Sequence, residues 1–228
     1  MNREGILAAL CGLLTLVIIH YAYWLNIHTP GVLAAVYQCN PYFEGCVSVS
    51  RAARSGPGLL WFKLVMLPCA LMIAVSWRNV GAWMAGIMPG WEKSRLWTVR
   101  LGMVGAVALV FYVIFLGTEG EVYSWLRRYG VVFFFGMTAL AQLLVARLVW
   151  AAFGVLKGWL ASLFVVLVSL QWVTGVFSVL KRLIFDNPDL IDRLENMAEW
   201  LMILLMSLGF ILMGLFLCNQ QTRKPASY

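Results

Sequence analysis

Six stretches of the chain are apolar for long enough to cross a bilayer, and nothing else limits its possible folds as severely. They cover residues 5–25, 59–77, 97–116, 129–149, 159–180 and 197–217. A helix rising 1.5 Å per residue needs about 20 apolar residues to traverse the hydrocarbon layer. Inside that layer every backbone amide must be satisfied within the protein, so such spans are helical. The sequence therefore predicts an all-α fold: one polytopic six-helix transmembrane bundle over residues 1–228, with a long first extracytoplasmic loop. A composition with 62% hydrophobic and 12% charged residues excludes a soluble domain of this length.

The ends of the spans carry Trp24, Trp61, Trp77, Trp97, Trp125, Trp150, Trp159 and Trp200, where interfacial rings belong, while Trp172 falls in mid-span. The first span follows Arg3, lacks an A-x-A site and ends in aromatics, so it reads as an uncleaved anchor. The formal charge of +7 is not a nucleic-acid signal, because the basic residues sit between apolar spans, where they orient helices and meet lipid phosphates.

With both termini cytoplasmic, the inner side holds Arg3, Arg78, Lys93, Arg95, Arg100, Arg147, Lys157, Arg223 and Lys224, against eight basic residues outside. That count decides little. Eight of the ten acidic residues fall on the outer side, and Cys39 and Cys46 share the first loop, residues 26–58. A disulfide between them needs an oxidising compartment, which favours this orientation; two free thiols are the alternative. The short tails and the absence of an organelle signal favour a bacterial inner membrane over a eukaryotic endomembrane. Cys11, Cys69 and Cys218 lie in spans and read as small apolar residues.

Asn187 and Pro188 read as the cap and first position of the last helix. Asp189, Asp192, Asn196 and Glu199 follow at spacings of three, four and three, so they share one face. Glu199 reaches the membrane boundary there, and an ionisable residue in a span is a functional candidate. Lys63 lies about one turn into the second span, with its charge expected either to snorkel or to pair with Glu199. Arg51, Arg54, Lys63, Arg127, Arg128, Lys181 and Arg182 belong to one leaflet, interleaved with Glu44, Glu119, Glu121 and Glu199. A basic rim above an intramembrane carboxylate suits a lipid headgroup, or else forms a salt-bridge collar holding the helices in register. Gln171, Thr174 and Ser178 form a polar line expected to hydrogen-bond neighbouring helices, and Pro68 is expected to kink the second span. His20 and His28 are too few for a metal site, and nothing calls for a cofactor.

Several short pieces carry a resemblance. They are Asn40-Pro41-Tyr42 in the first loop, Ser55-Gly56-Pro57 before the second span, the run from Tyr129 to Gly136, and Ala198-Glu199-Trp200 opening the sixth span. In these the chain resembles the six-span family that contains the damage-regulated autophagy modulators (DRAM) and the Golgi protein of GPI-anchor lipid remodelling. The chain departs from the family at Arg127-Arg128 and Phe43-Glu44. The resemblance implies lipid-linked work, with Asn40, Pro41, Tyr42, Glu44 and Glu199 as family-like positions. The function expected is to bind or organise membrane lipid through an outer-leaflet cavity. The alternatives are a subunit that stabilises a membrane-protein partner, or an enzyme of lipid acyl or headgroup remodelling.

Overall fold

A computed structural model describes residues 3–29, 39–153 and 158–220. Part of the first loop (30–38) and the basic residues Lys157, Arg223 and Lys224 lie outside the described residues. The chain forms α1 (Arg3–His28), α2 (Val49–Ala52), α3 (Gly56–Ile87), α4 (Glu92–Phe115), α5 (Glu121–Phe153), α6 (Trp159–Ile184) and α7 (Pro188–Gln220), and no strand occurs among the described residues. Six of these helices are long and apolar enough to cross a membrane, and α2 is a single turn within the first loop.

Each long helix packs on its neighbours in sequence, and α1 packs on α7, so the six close a ring in chain order. Small residues allow the closing contact between α1 and α7. A Cβ at Gly214 would lie 2.5 Å from the Gly5 carbonyl oxygen and 2.6 Å from the Ala9 nitrogen, so only glycine lets the backbones meet there. Because spans alternate direction, the first loop, the α4–α5 turn and the α6–α7 turn gather at one end, called here the loop end. Residues 3 and 220 lie at the other.

Three helices overrun the apolar spans, α7 among them with 33 residues from Pro188 to Gln220. α3 has 32 residues and α5 has 33, about 48 Å at 1.5 Å per residue, well beyond a ~30 Å hydrocarbon layer. Residues 121–128, expected as loop, are the first two turns of α5, which places Arg127 and Arg128 on a helix. Pro68 stands inside α3 without ending it. Trp77 and Trp200 are not interfacial anchors, since both are fully buried. Trp77 packs against Phe210 of α7 at 5.4 Å between ring centroids, over the space left by Gly102 on α4.

Candidate functional site

The polar face of α7 carries the first loop. Asn187 caps the helix as its residue type suggests, its Oδ1 accepting from the amides of Asp189 (3.0 Å) and Leu190 (3.3 Å). One turn on, Asp192 accepts from the Arg51 guanidinium at 2.7 Å. Asn196, buried, donates to the Gly45 carbonyl at 2.7 Å and accepts from Arg51 at 3.3 Å. Glu199 accepts from the Val49 amide at 3.1 Å and from the Ser50 amide. Trp200 Nε1 donates to the Val47 carbonyl at 2.9 Å. The stripe read from helical spacing is thus a docking strip for residues 45–51.

The loop is shaped to fit that strip. A disulfide joins Cys39 to Cys46, and Glu44 accepts from the Asn40 amide at 2.8 Å inside the closed turn. Gly45 has φ +61°, and a Cβ there would meet the Arg193 backbone, so this position requires glycine on both counts. Ser48 caps α2, accepting from the Arg51 amide at 3.2 Å. The Glu199 carboxylate satisfies amides at the start of the same turn, which a one-turn helix leaves unpaired.

α1 supplies the other wall. Asn26, fully buried, donates to the Ala52 carbonyl at 2.8 Å and accepts from the Gly58 amide at 2.9 Å, joining the end of α2 to the start of α3. Tyr23 donates to the Cys39 carbonyl at 2.9 Å. His20 Nδ1 lies 2.7 Å from the Leu16 carbonyl, which only accepts, so Nδ1 carries the proton and the neutral ring's Nε2 accepts from Tyr42 at 3.0 Å. The rings of His20, Tyr23 and Tyr42 surround Trp200 at centroid distances of 5.4, 5.6 and 5.6 Å. Neither Asn26 nor Tyr23 stands out in the sequence, because a lone polar residue near a span end has no periodic signal.

The expected ion pair between Lys63 and Glu199 does not form. Lys63 is half-buried and donates to the Ile114 carbonyl of α4 at 3.0 Å, while Glu199 is engaged by backbone amides. Arg127 donates to the carbonyls of Phe115 (3.4 Å) and Thr118, so two of the expected rim residues satisfy the C-terminal carbonyls of α4. Lys181, only 2% exposed, pairs with Glu195 at 3.3 Å and donates to Ser178. Arg182 meets the same carboxylate at 3.4 Å. Arg54 is exposed, and partial desolvation by the surrounding chain, helped by the charge of Arg127, holds its guanidinium below the ordinary range. Arg128 is exposed on α5. Of the expected basic residues, Arg51, Lys181 and Arg182 thus make ion pairs, while Lys63 and Arg127 donate to main-chain carbonyls, so they are engaged in separate contacts.

The recess around Glu199 is small. Ser50, Tyr112, Thr15 and Phe62 are among its walls, its volume is about 20 Å³, and that is room for roughly one water. Ser50 and Tyr112 hydroxyls lie 3.1 Å apart there, but a lipid headgroup does not fit between them. The polar line on α6 does not reach neighbouring helices as expected. Thr174 bonds back to Leu170, Ser178 serves Lys181, and the buried Gln171 amide has no partner among the described residues.

Two larger hollows flank the docked loop. One, about 730 Å³, opens between the disulfide turn and Asn187, Asp189 and Asp192. The other, about 610 Å³, is an apolar groove between α6 and α7, walled by Thr174, Phe177, Met197 and Leu201 and roofed by Tyr42 and Phe43. Its lining residue Phe177 precedes Lys181 by four residues and Arg182 by five, and Leu194 is adjacent to Glu195.

Fold and site together define an integral membrane protein of six spanning helices with a disulfide-closed first loop seated on its last helix. No protein-family model matches the chain, and neither a curated protein nor a solved structure does.

Proposed function

We propose that the protein binds a membrane phospholipid, holding an acyl chain in the α6–α7 groove and its phosphate at the mouth of that groove. The supporting observation is the pairing of an apolar hollow of about 610 Å³ with the neighbouring cluster Lys181, Arg182 and Glu195. That cluster carries one net positive charge, and Arg182 is 70% exposed, with donors available to a phosphate. A zwitterionic headgroup can place its amine on Glu195, which is 41% exposed. The proposal takes the loop end as extracytoplasmic, in keeping with its disulfide. Lipid-linked work is also what the six-span resemblance implies.

Lipid retention measured by native mass spectrometry tests the proposal. Wild type is expected to keep a phospholipid that Leu201→Trp, which fills the groove, releases; Arg182→Gln weakens retention. Equal retention in wild type and Leu201→Trp, at matched thermal stability, rejects the groove as the site.

A second reading, a subunit that stabilises a membrane-protein partner, draws support from α6. Only 17% of its apolar window is buried, the least of the six spans. Stoichiometric co-purification of a partner that is lost on Val173→Arg would favour it.

A further inference from the structure

A group of basic residues without ion pairs gathers at the end opposite the first loop. All three ion pairs among the described residues, Arg51–Asp192, Lys181–Glu195 and Arg182–Glu195, sit at the loop end. At the end bearing residues 3 and 220 stand Arg3, Arg78, Lys93, Arg95, Arg100 and Arg147, with only Glu4 and Glu92 as acids among the described residues there. None of these six joins an ion pair among the described residues.

Two of them line one hollow. Where α3 turns into α4, a crevice of about 680 Å³ opens between α4 and α5, with Lys93 and Arg147 at its mouth beside Glu92, a net charge of one positive. Arg147 is held there by the Trp91 ring, its guanidinium carbon 5.3 Å from the centroid. α4 begins at the same place with no side-chain cap, so its first-turn amides face the hollow's mouth with their partial positive charge. The Ser94 hydroxyl, on that first turn and lining the crevice, is buried and has no hydrogen-bond partner among the described residues. A buried hydroxyl without a partner calls for one. Deeper in, the walls become apolar, with Leu101 from α4 and Leu140, Leu143 and Leu144 from α5.

We infer that this crevice is a second lipid site, specific for an anionic phospholipid. The phosphate sits at the start of α4, against Lys93, Arg147 and the Ser94 hydroxyl, and an acyl chain runs down between α4 and α5. The occupant's chemistry follows from the gradient of the walls: two cations, an orphan hydroxyl and free amides at the mouth, leucines below. Both hollows set one carboxylate against two cations, but Glu195 pairs with both of its bases, whereas no ion pair among the described residues engages Lys93 or Arg147. The site is independent of the α6–α7 groove, so each can fail without the other.

The test uses the full chain purified in detergent with equimolar phosphatidylglycerol and phosphatidylcholine, read by native mass spectrometry. Wild type is expected to retain phosphatidylglycerol in preference. Lys93→Gln and Arg147→Gln should each weaken that preference by about fivefold. Leu143→Trp, which blocks the apolar part and leaves the charges, should abolish it, while Arg182→Gln should leave it intact. Loss of preference in Arg182→Gln but not in Arg147→Gln overturns the assignment. Displacement of the lipid by millimolar inorganic phosphate, with Leu143→Trp behaving as wild type, also overturns it, showing a site for the free anion alone.

Discussion

The Glu199 carboxylate accepts the Val49 amide at 3.1 Å, joining the last span to a one-turn helix 150 residues earlier in the chain. An acidic residue at the membrane boundary thereby serves as a cap for α2, and its partners are backbone groups. Its electrostatic work is local: it satisfies amides that the short helix cannot satisfy for itself.

Replacing Glu199 with glutamine should therefore cost stability. The amide can still offer one acceptor, but its NH2 would face the Val49 and Ser50 N–H groups. Leaving a buried amide without its acceptor costs about 1–3 kcal/mol, and a loss of that order is expected for Glu199→Gln. Thermal unfolding in detergent measures it. An unchanged Tm would show that the cap is dispensable.

Lys63 and Glu199 should prove energetically independent. A double-mutant cycle with Lys63→Met and Glu199→Gln is expected to give a coupling within about 0.5 kcal/mol, as for residues without shared partners. The cycle for Arg51 and Asp192 should give about 0.2–1 kcal/mol, because that pair is partly exposed at 36% and 56%. A large Lys63–Glu199 coupling would contradict the contacts each residue makes.

Gly45→Ala strains the turn twice, through its φ of +61° and through the Arg193 backbone that the new Cβ would meet. The conformational part alone costs about 1–2 kcal/mol. The variant should show slower closure of the Cys39–Cys46 disulfide, detected as greater alkylation of both thiols in freshly purified protein. Alkylation at the wild-type level would mean the turn adapts freely.

Tyr42 gives the docked loop an alkaline limit. Burial raises its phenol above the ordinary value of 10.0, so the folded state holds the proton more tightly than the unfolded chain. The stability linked to that proton is complete below the unfolded pKa and is lost as pH rises through the folded one. Ionised Tyr42 also cannot donate to His20. Wild type should thus lose Tm above about pH 10 more steeply than Tyr42→Phe; parallel pH profiles would refute this.

The spans were legible because twenty apolar residues have few soluble uses, and the α7 face because helical spacing aligns Asp192, Asn196 and Glu199. The disulfide followed from two cysteines in one exposed loop. What stayed hidden was mostly backbone. Every residue carries an amide and a carbonyl, so nothing in composition shows that Glu199 and Lys63 would be taken by main-chain groups of α2 and α4. The polar turns at residues 121–128 read as loop because hydropathy marks the bilayer's edge, not the helix's, and α5 continues beyond it. The first loop's partner was equally hidden, since α2 is too short to have a periodicity.

The seating of residues 45–51 on α7 also orders biogenesis. A ribosome makes the first loop early and its receptor helix last, so Gly45, Val47 and Val49 wait for nearly the whole chain before Asn196, Trp200 and Glu199 exist to receive them. Until then Gly45, Val47 and Val49 stand open to proteases, and afterwards they are buried. Arrival of α7 is thus the event that seats the loop, and a nascent chain halted before Pro188 would betray itself by cleavage at residues 45–49.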